Sequence, residues 1–73
     1  MRSRDLTVAD VSSVYVDAKR DCSWWSDDPD HIASVLALLQ RVDAPIEEYR
    51  FGGRAVRMAE YVVDGTVYCA VLR

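Results

Sequence analysis

Asp64-Gly65 is the residue pair that most limits what this chain can fold into. It divides Ala55–Leu72, AVRMAEYVVDGTVYCAVL, into two runs rich in Val and Tyr. A two-residue Asp-Gly link between such runs specifies a β-hairpin, because a type I′ turn needs φ > 0 at both central residues. Gly52-Gly53 is a second link of the same kind, so residues 46–51 join as a further strand. Strands over 46–51, 55–63 and 66–72 then follow as a meander.

The two turns fix the pairing independently. Gly52-Gly53 sets Glu48 opposite Arg57 and Tyr49 opposite Val56. Asp64-Gly65 sets Val62 opposite Val67, Tyr61 opposite Tyr68 and Met58 opposite Val71. Strand residues alternate between faces, so one face collects Tyr49, Phe51, Val56, Met58, Val62, Val67, Cys69 and Val71. The other collects Ile46, Glu48, Arg50, Arg57, Ala59, Tyr61, Tyr68, Ala70 and Leu72. Opposite charges pair across strands and apolar residues segregate, as a correct register requires.

Two helices are expected ahead of the meander. Thr7 with Asp10 three positions on resembles a capping box, and Val8, Val11, Tyr15, Ala18 and Cys22 follow at spacings of three and four. That pattern predicts a helix over 7–21, after a flexible arm at residues 1–5. Asp28-Pro29 opens a second helix over 29–42, with the cap, the first-turn proline and an early acid in their favoured places. Ile32, Val35, Leu36, Leu39 and Val42 form its apolar stripe, and Ala33, Ala37 and Leu38 widen it. The expected architecture is a single two-layer α+β domain, ααβββ, with both helices on the Tyr49/Phe51/Val56/Met58 face of a three-stranded antiparallel meander.

Seventy-three residues allow one domain, with 51% hydrophobic and 29% charged content typical of a folded chain. Nine basic and 12 acidic residues give a net charge of −3, and the basic residues are scattered, which disfavours nucleic acid as a partner. The excess of Arg over Lys, with abundant Ala, Val and Asp, points to a high-GC bacterial genome or a virus of such a host. No apolar run approaches the roughly 20 residues that span a bilayer, so a cytoplasmic location is expected.

Chemistry-bearing motifs are sparse. Asp27, Asp28 and Asp30 lack the alternate spacing and distal Glu of a calcium loop and read as the acids of a helix start. His31 is the only histidine, and with Cys22 and Cys69 it supplies too few ligands for zinc. The two cysteines have no CxxC spacing and are expected as free thiols. No cofactor, metal or catalytic residue is assigned, and an enzyme is not expected.

Surface features carry the functional expectation instead. With helices on one sheet face, Tyr61, Tyr68, Leu72 and Ile46 would form an apolar patch on the other, fringed by Arg57. Strand 66–72 would be an unprotected edge, and Trp24-Trp25 would offer a further contact. These residues point to a non-enzymatic module that binds a protein partner or a second copy of itself. An accessory or phage-encoded inhibitor of a host protein would fit. The alternative is a small DNA-binding regulator of winged-helix type, for which residues 29–42 offer only Gln40 and Arg41 to a groove.

Overall fold

A computed structural model describes residues 2–18 and 22–73. Five antiparallel strands form one sheet in the order β2-β1-β5-β4-β3. They are β1 (Val11–Ala18), β2 (Cys22–Ser26), β3 (Ile46–Phe51), β4 (Arg54–Val63) and β5 (Thr66–Leu72), with one helix, α1 (Pro29–Arg41), between β2 and β3. The expected pair of helices on a three-stranded meander is therefore corrected to one helix on five strands.

Both turns form as the sequence requires. Asp64 and Gly65 have φ of 50° and 78°, and Gly52 and Gly53 have 56° and 83°. Every cross-strand pair derived from them is present, including Glu48 opposite Arg57, Tyr49 opposite Val56, Met58 opposite Val71 and Tyr61 opposite Tyr68.

The region expected as a helix over 7–21 is mostly strand. The Thr7–Asp10 capping interaction exists, with the Thr7 amide donating to Asp10 Oδ2 at 2.8 Å, but it caps only a three-residue 3-10 turn, Val8–Asp10. β1 follows at once, paired with β2 on one side and β5 on the other. Val11 faces Leu72 while Ser13 faces Val71, so Ser12 is an extra residue in the ladder, and its hydroxyl donates to the Val71 carbonyl at 3.2 Å. This bulge shifts the phase of the alternation. Val11 and Val14 are both fully buried although three residues apart, which imitates the helical period. Past the bulge the strand alternates normally, and Val14, Tyr15 and Val16 have the shapes that strands favour over helices. Residues 19–21, the end of the expected helix, lie outside the described residues.

Residues 22–26, expected as a connection, form β2. Residues 3–5 of the expected flexible arm form a 3-10 turn with Ser3 fully buried; Met1 lies outside the described residues. Gln40 holds this segment to α1, its Nε2 donating to the Ser3 and Leu6 carbonyls at 3.2 and 2.8 Å.

α1 starts as expected, with Asp28 Oδ1 accepting from the Asp30 amide at 2.8 Å and Pro29 in the first turn. It ends in a Schellman pattern: the Ala44 amide donates to the Leu39 carbonyl at 2.9 Å, across Asp43 at φ 51°. Arg2 and Arg4 both pair with the Asp43 carboxylate, and the Arg2 hydrogen bond is the largest of the influences that hold its pKa below the ordinary value. Ile32, Val35, Leu36 and Leu39 are the buried face of the helix, while Ala33 and Ala37 lie in water.

The helix covers the sheet face opposite to the one expected. Its buried residues join Val14, Val16, Ala59, Ala70 and Leu72 in one core, with Tyr61, Tyr68 and Ile46 packed around it. Ala59 and Ala70 oppose each other beneath the helix and are both 0% exposed. Small side chains there allow the helix to sit close to the middle of the sheet.

Candidate interaction surface

Inverting the faces changes the role of each residue expected to bind a partner. Tyr61, Tyr68 and Ile46 are half-buried against the core, and Leu72 is buried within it. They lie on the helix-covered side of the sheet, not on an uncovered face. Arg57 remains exposed. β5 is an interior strand between β1 and β4, so its lack of protective charge reflects pairing on both sides. The real edges are β2, only five residues long, and β3, which carries Glu47, Glu48 and Arg50; short length and charge are the usual protections of an edge.

The two tryptophans part company because neighbouring strand residues point to opposite faces. Trp24 opposes Val16 on the helix side, and its ring meets His31 edge to face at 5.6 Å between centroids. His31 Nδ1 lies 2.7 Å from Ser26 Oγ, which also accepts from the Asp28 amide at 3.0 Å. His31 thus ties β2 to the start of α1. Trp25 opposes Tyr15 on the other face.

That other face has no covering element among the described residues. Trp25 is 60% exposed, Phe51 58%, Val62 55% and Tyr15 39%. Taking full side-chain areas of roughly 150–250 Å², these four leave on the order of 400 Å² of apolar-rich surface in water, within the range of the largest patches on single domains, which are often functional. Between them lie the half-buried Val56, Met58, Val67 and Val71 and the ring pair Tyr49–Phe51, stacked at 6.3 Å. The Tyr49 hydroxyl donates to Glu47 at 3.1 Å, and this bond to a carboxylate raises the Tyr49 pKa.

The centre of the face is polarised. Cys69 is 4% exposed, with its Sγ 3.3 Å from Met58 Sδ, and Glu60 stands directly opposite it on β4. Burial, with the Glu60 charge adding to it, pushes the Cys69 thiol up to about 11, so it is a protonated packing group and not a nucleophile. Cys69 is free. Cys22 is on β2, with β1 between it and β5; two strand spacings of about 4.8 Å separate their backbones by more than a disulfide can bridge. Among the described residues Asp17, Glu47 and Glu60 share the face with one cation, Arg54, by the pairing of their strands. Ser23 donates to Asp17 at 2.7 Å.

Two other features of the sequence acquire no site geometry. No group of three or more His, Cys, Asp or Glu residues suited to a metal ion occurs among the described residues, Asp27, Asp28 and Asp30 included. No helix there is long and apolar enough to cross a membrane. The scaffold of the winged-helix alternative, a pair of helices, is missing among the described residues.

Comparison with protein-family models, with curated proteins and with solved structures returns no match for this chain.

Proposed function

We propose that this protein is a binding module whose open sheet face docks on another protein, one presenting apolar side chains together with at least one Lys or Arg. The observation that carries this is the uncovered aromatic and aliphatic face bearing Trp25, Tyr15, Phe51 and Val62. Charge selects the occupant. Among the described residues three carboxylates against one guanidinium make the face acidic, and Glu60 sits near its middle. A closely packed two-fold copy would bring two acidic faces together, with a single Arg54 from each copy against the partner's three carboxylates, and leaving Glu60 desolvated and unpaired there costs several kcal/mol. A cation from a different protein would pair with it instead. A 73-residue chain with one such face would act by occupying its partner's surface, as an inhibitor or modulator does, rather than by catalysis.

The test places a photo-crosslinking amino acid at Val62, at Phe51, or at the exposed helix position Ala33, in the source cell. Adducts at 62 and 51 with a single protein, lost in Glu60→Lys and Trp25→Ser, are the expected result. Adducts at 33 alone refute the assignment, as does a crosslink at 62 to a second copy of the chain, which would make the face a dimer interface.

A further inference from the structure

β3 is the outermost strand beyond β4, and its outer side has no strand partner among the described residues. The Gly52-Gly53 turn decides which of its backbone groups face that side. In a two-residue hairpin the residues flanking the turn, Phe51 and Arg54, exchange backbone hydrogen bonds. Bonding direction alternates along an antiparallel strand, so Tyr49 and Glu47 also bond to β4, while Glu48 and Arg50 aim their amides and carbonyls outward. The side chains of Glu48 and Arg50 are exposed and of opposite charge. Neither makes an ion pair within 4 Å among the described residues, where the pairs are those of Arg2 and Arg4 with Asp43. This holds for Glu48 although Arg57 stands opposite it on β4. α1 packs chiefly over β1, β4 and β5, which leaves space beside β3.

We propose that β3 pairs antiparallel with β3 of a second copy of this chain, about a two-fold axis that passes through Tyr49 normal to the sheet. Such an axis sets each residue opposite one on the same face, so the residue at its centre meets itself. Of the four central positions, Glu47, Glu48 and Arg50 would each meet its own like charge, which is destabilising. Centring on Tyr49 sets Glu48 opposite Arg50 of the second copy, twice over. Those two residues also carry the outward backbone groups, so each ion pair is joined by two backbone hydrogen bonds. The charges that guard this edge against other strands therefore match their own copy in one register, which is how charge confers specificity. On the open face the stacked Tyr49–Phe51 rings of the two copies stand in one row. Two five-stranded sheets become one continuous sheet with both open faces on the same side. The copies meet edge to edge, so Glu60 stays in water and the docking proposed for the open face is neither required nor blocked.

Sedimentation of the whole chain, from micromolar to millimolar concentration, reads the mass, and a monomer–dimer equilibrium is the expected result. Glu48→Arg alone and Arg50→Glu alone each set like charges opposite and should weaken the dimer at least tenfold. The melting of the dilute chain should not change, since both side chains are exposed. Mixed in equal amounts, the two variants should pair with each other about as tightly as the parent does with itself, because each supplies the charge the other lacks. Under mild oxidation Tyr49→Cys should give a disulfide-linked dimer, since residue 49 meets itself at the close spacing of about 4.5 Å between Cα atoms. Ala33→Cys, on the exposed side of α1, should not. A parent that stays monomeric throughout overturns the proposal, as does a single variant that dimerises like the parent, a mixture that fails to pair, or equal crosslinking at 33 and 49. Val62 lies on the part of β4 that runs past β3, so a photo-adduct there tests the docking face apart from this edge.

Discussion

Which face of the sheet the helix covers can be decided by enlarging one alanine. Ala70 is 0% exposed and lies in a cross-sheet row between Val14 on β1 and Ala59 on β4, beneath α1. Ala70→Leu adds three carbons where no room exists. Overpacking of this kind typically costs 1–3 kcal/mol, and a site closed on every side belongs near the top of that range, at about 2–3 kcal/mol. A 73-residue chain has a total stability of roughly 4–11 kcal/mol at 0.05–0.15 kcal/mol per residue. Each kcal/mol moves the midpoint of a domain this small by roughly 4–8 °C, so the variant should melt about 10–20 °C below the parent. Val71→Leu is the control. It is the next residue on β5, points to the open face and is only half-buried, so its midpoint should shift by no more than about 2 °C. Thermal unfolding followed by far-ultraviolet circular dichroism reads both. A mild Ala70→Leu with a severe Val71→Leu would put the helix on the Met58/Val71 side and refute the placement of the core.

Local geometry at three further positions sets four outcomes. Gly53 has φ 83°, and no neighbouring atom lies within 4 Å of the point a Cβ would occupy. Gly53→Ala should therefore cost only the backbone strain of about 1–2 kcal/mol, visible in urea unfolding, and Gly53→Asn distinctly less. Cys69, with its thiol pushed up to about 11 from an ordinary 9.0, should react with iodoacetamide at pH 8 about 100-fold more slowly than a free thiol of ordinary pKa, since that is the ratio of thiolate populations. The same shift favours the protonated fold. Its stabilising contribution is complete below about pH 9 and is lost as pH rises to about 11, so stability should fall across that interval in the parent and fall less in Cys69→Ala. Asp43, held low chiefly by Arg2, contributes stability above its unfolded value of 3.8 that is lost as pH falls through the lower folded value; carboxyl carbon NMR should show its pKa rising in Arg2→Ala.

What could be read from the sequence was the part governed by local stereochemistry. Two glycine turns with positive φ determine three strands and their register, and Asp28-Pro29 determines where α1 begins. The first half resisted because the extra residue Ser12 broke the strand's alternation, because the three- and four-residue spacing of Val8, Val11 and Tyr15 joins a core residue, Val11, to an open-face residue, Tyr15, and because the capping signal at Thr7 is equally compatible with a short 3-10 turn. The sheet face could not be chosen from apolarity, because both faces are apolar. A further signal was available: one face has Ala59 and Ala70 opposite each other at its centre. A helix needs such small residues to approach a sheet closely. A bare sheet face does not. That criterion selects the Tyr61/Tyr68 side, and with it Trp25, Tyr15 and Phe51 become the residues left for a partner.

The tyrosine pair shows why the choice of face decides the functional assignment. Tyr61 and Tyr68 are cross-strand neighbours on the core side, where their rings extend the apolar layer beyond the alanines. Their exposure is limited by the fold itself, so substituting them tests stability and only indirectly tests binding. Trp25, Phe51 and Val62 are more than half exposed, so truncating them removes little buried contact from the chain. Residues whose loss costs the monomer little, yet which keep large apolar groups in water, are what the proposed docking surface would cover. In that proposal Glu60 adds the constraint that the covering surface bring a positive charge. Loss of partner crosslinking in Glu60→Lys, with the melting midpoint held, is therefore the outcome that distinguishes a docking face from an apolar face tolerated for want of polar residues.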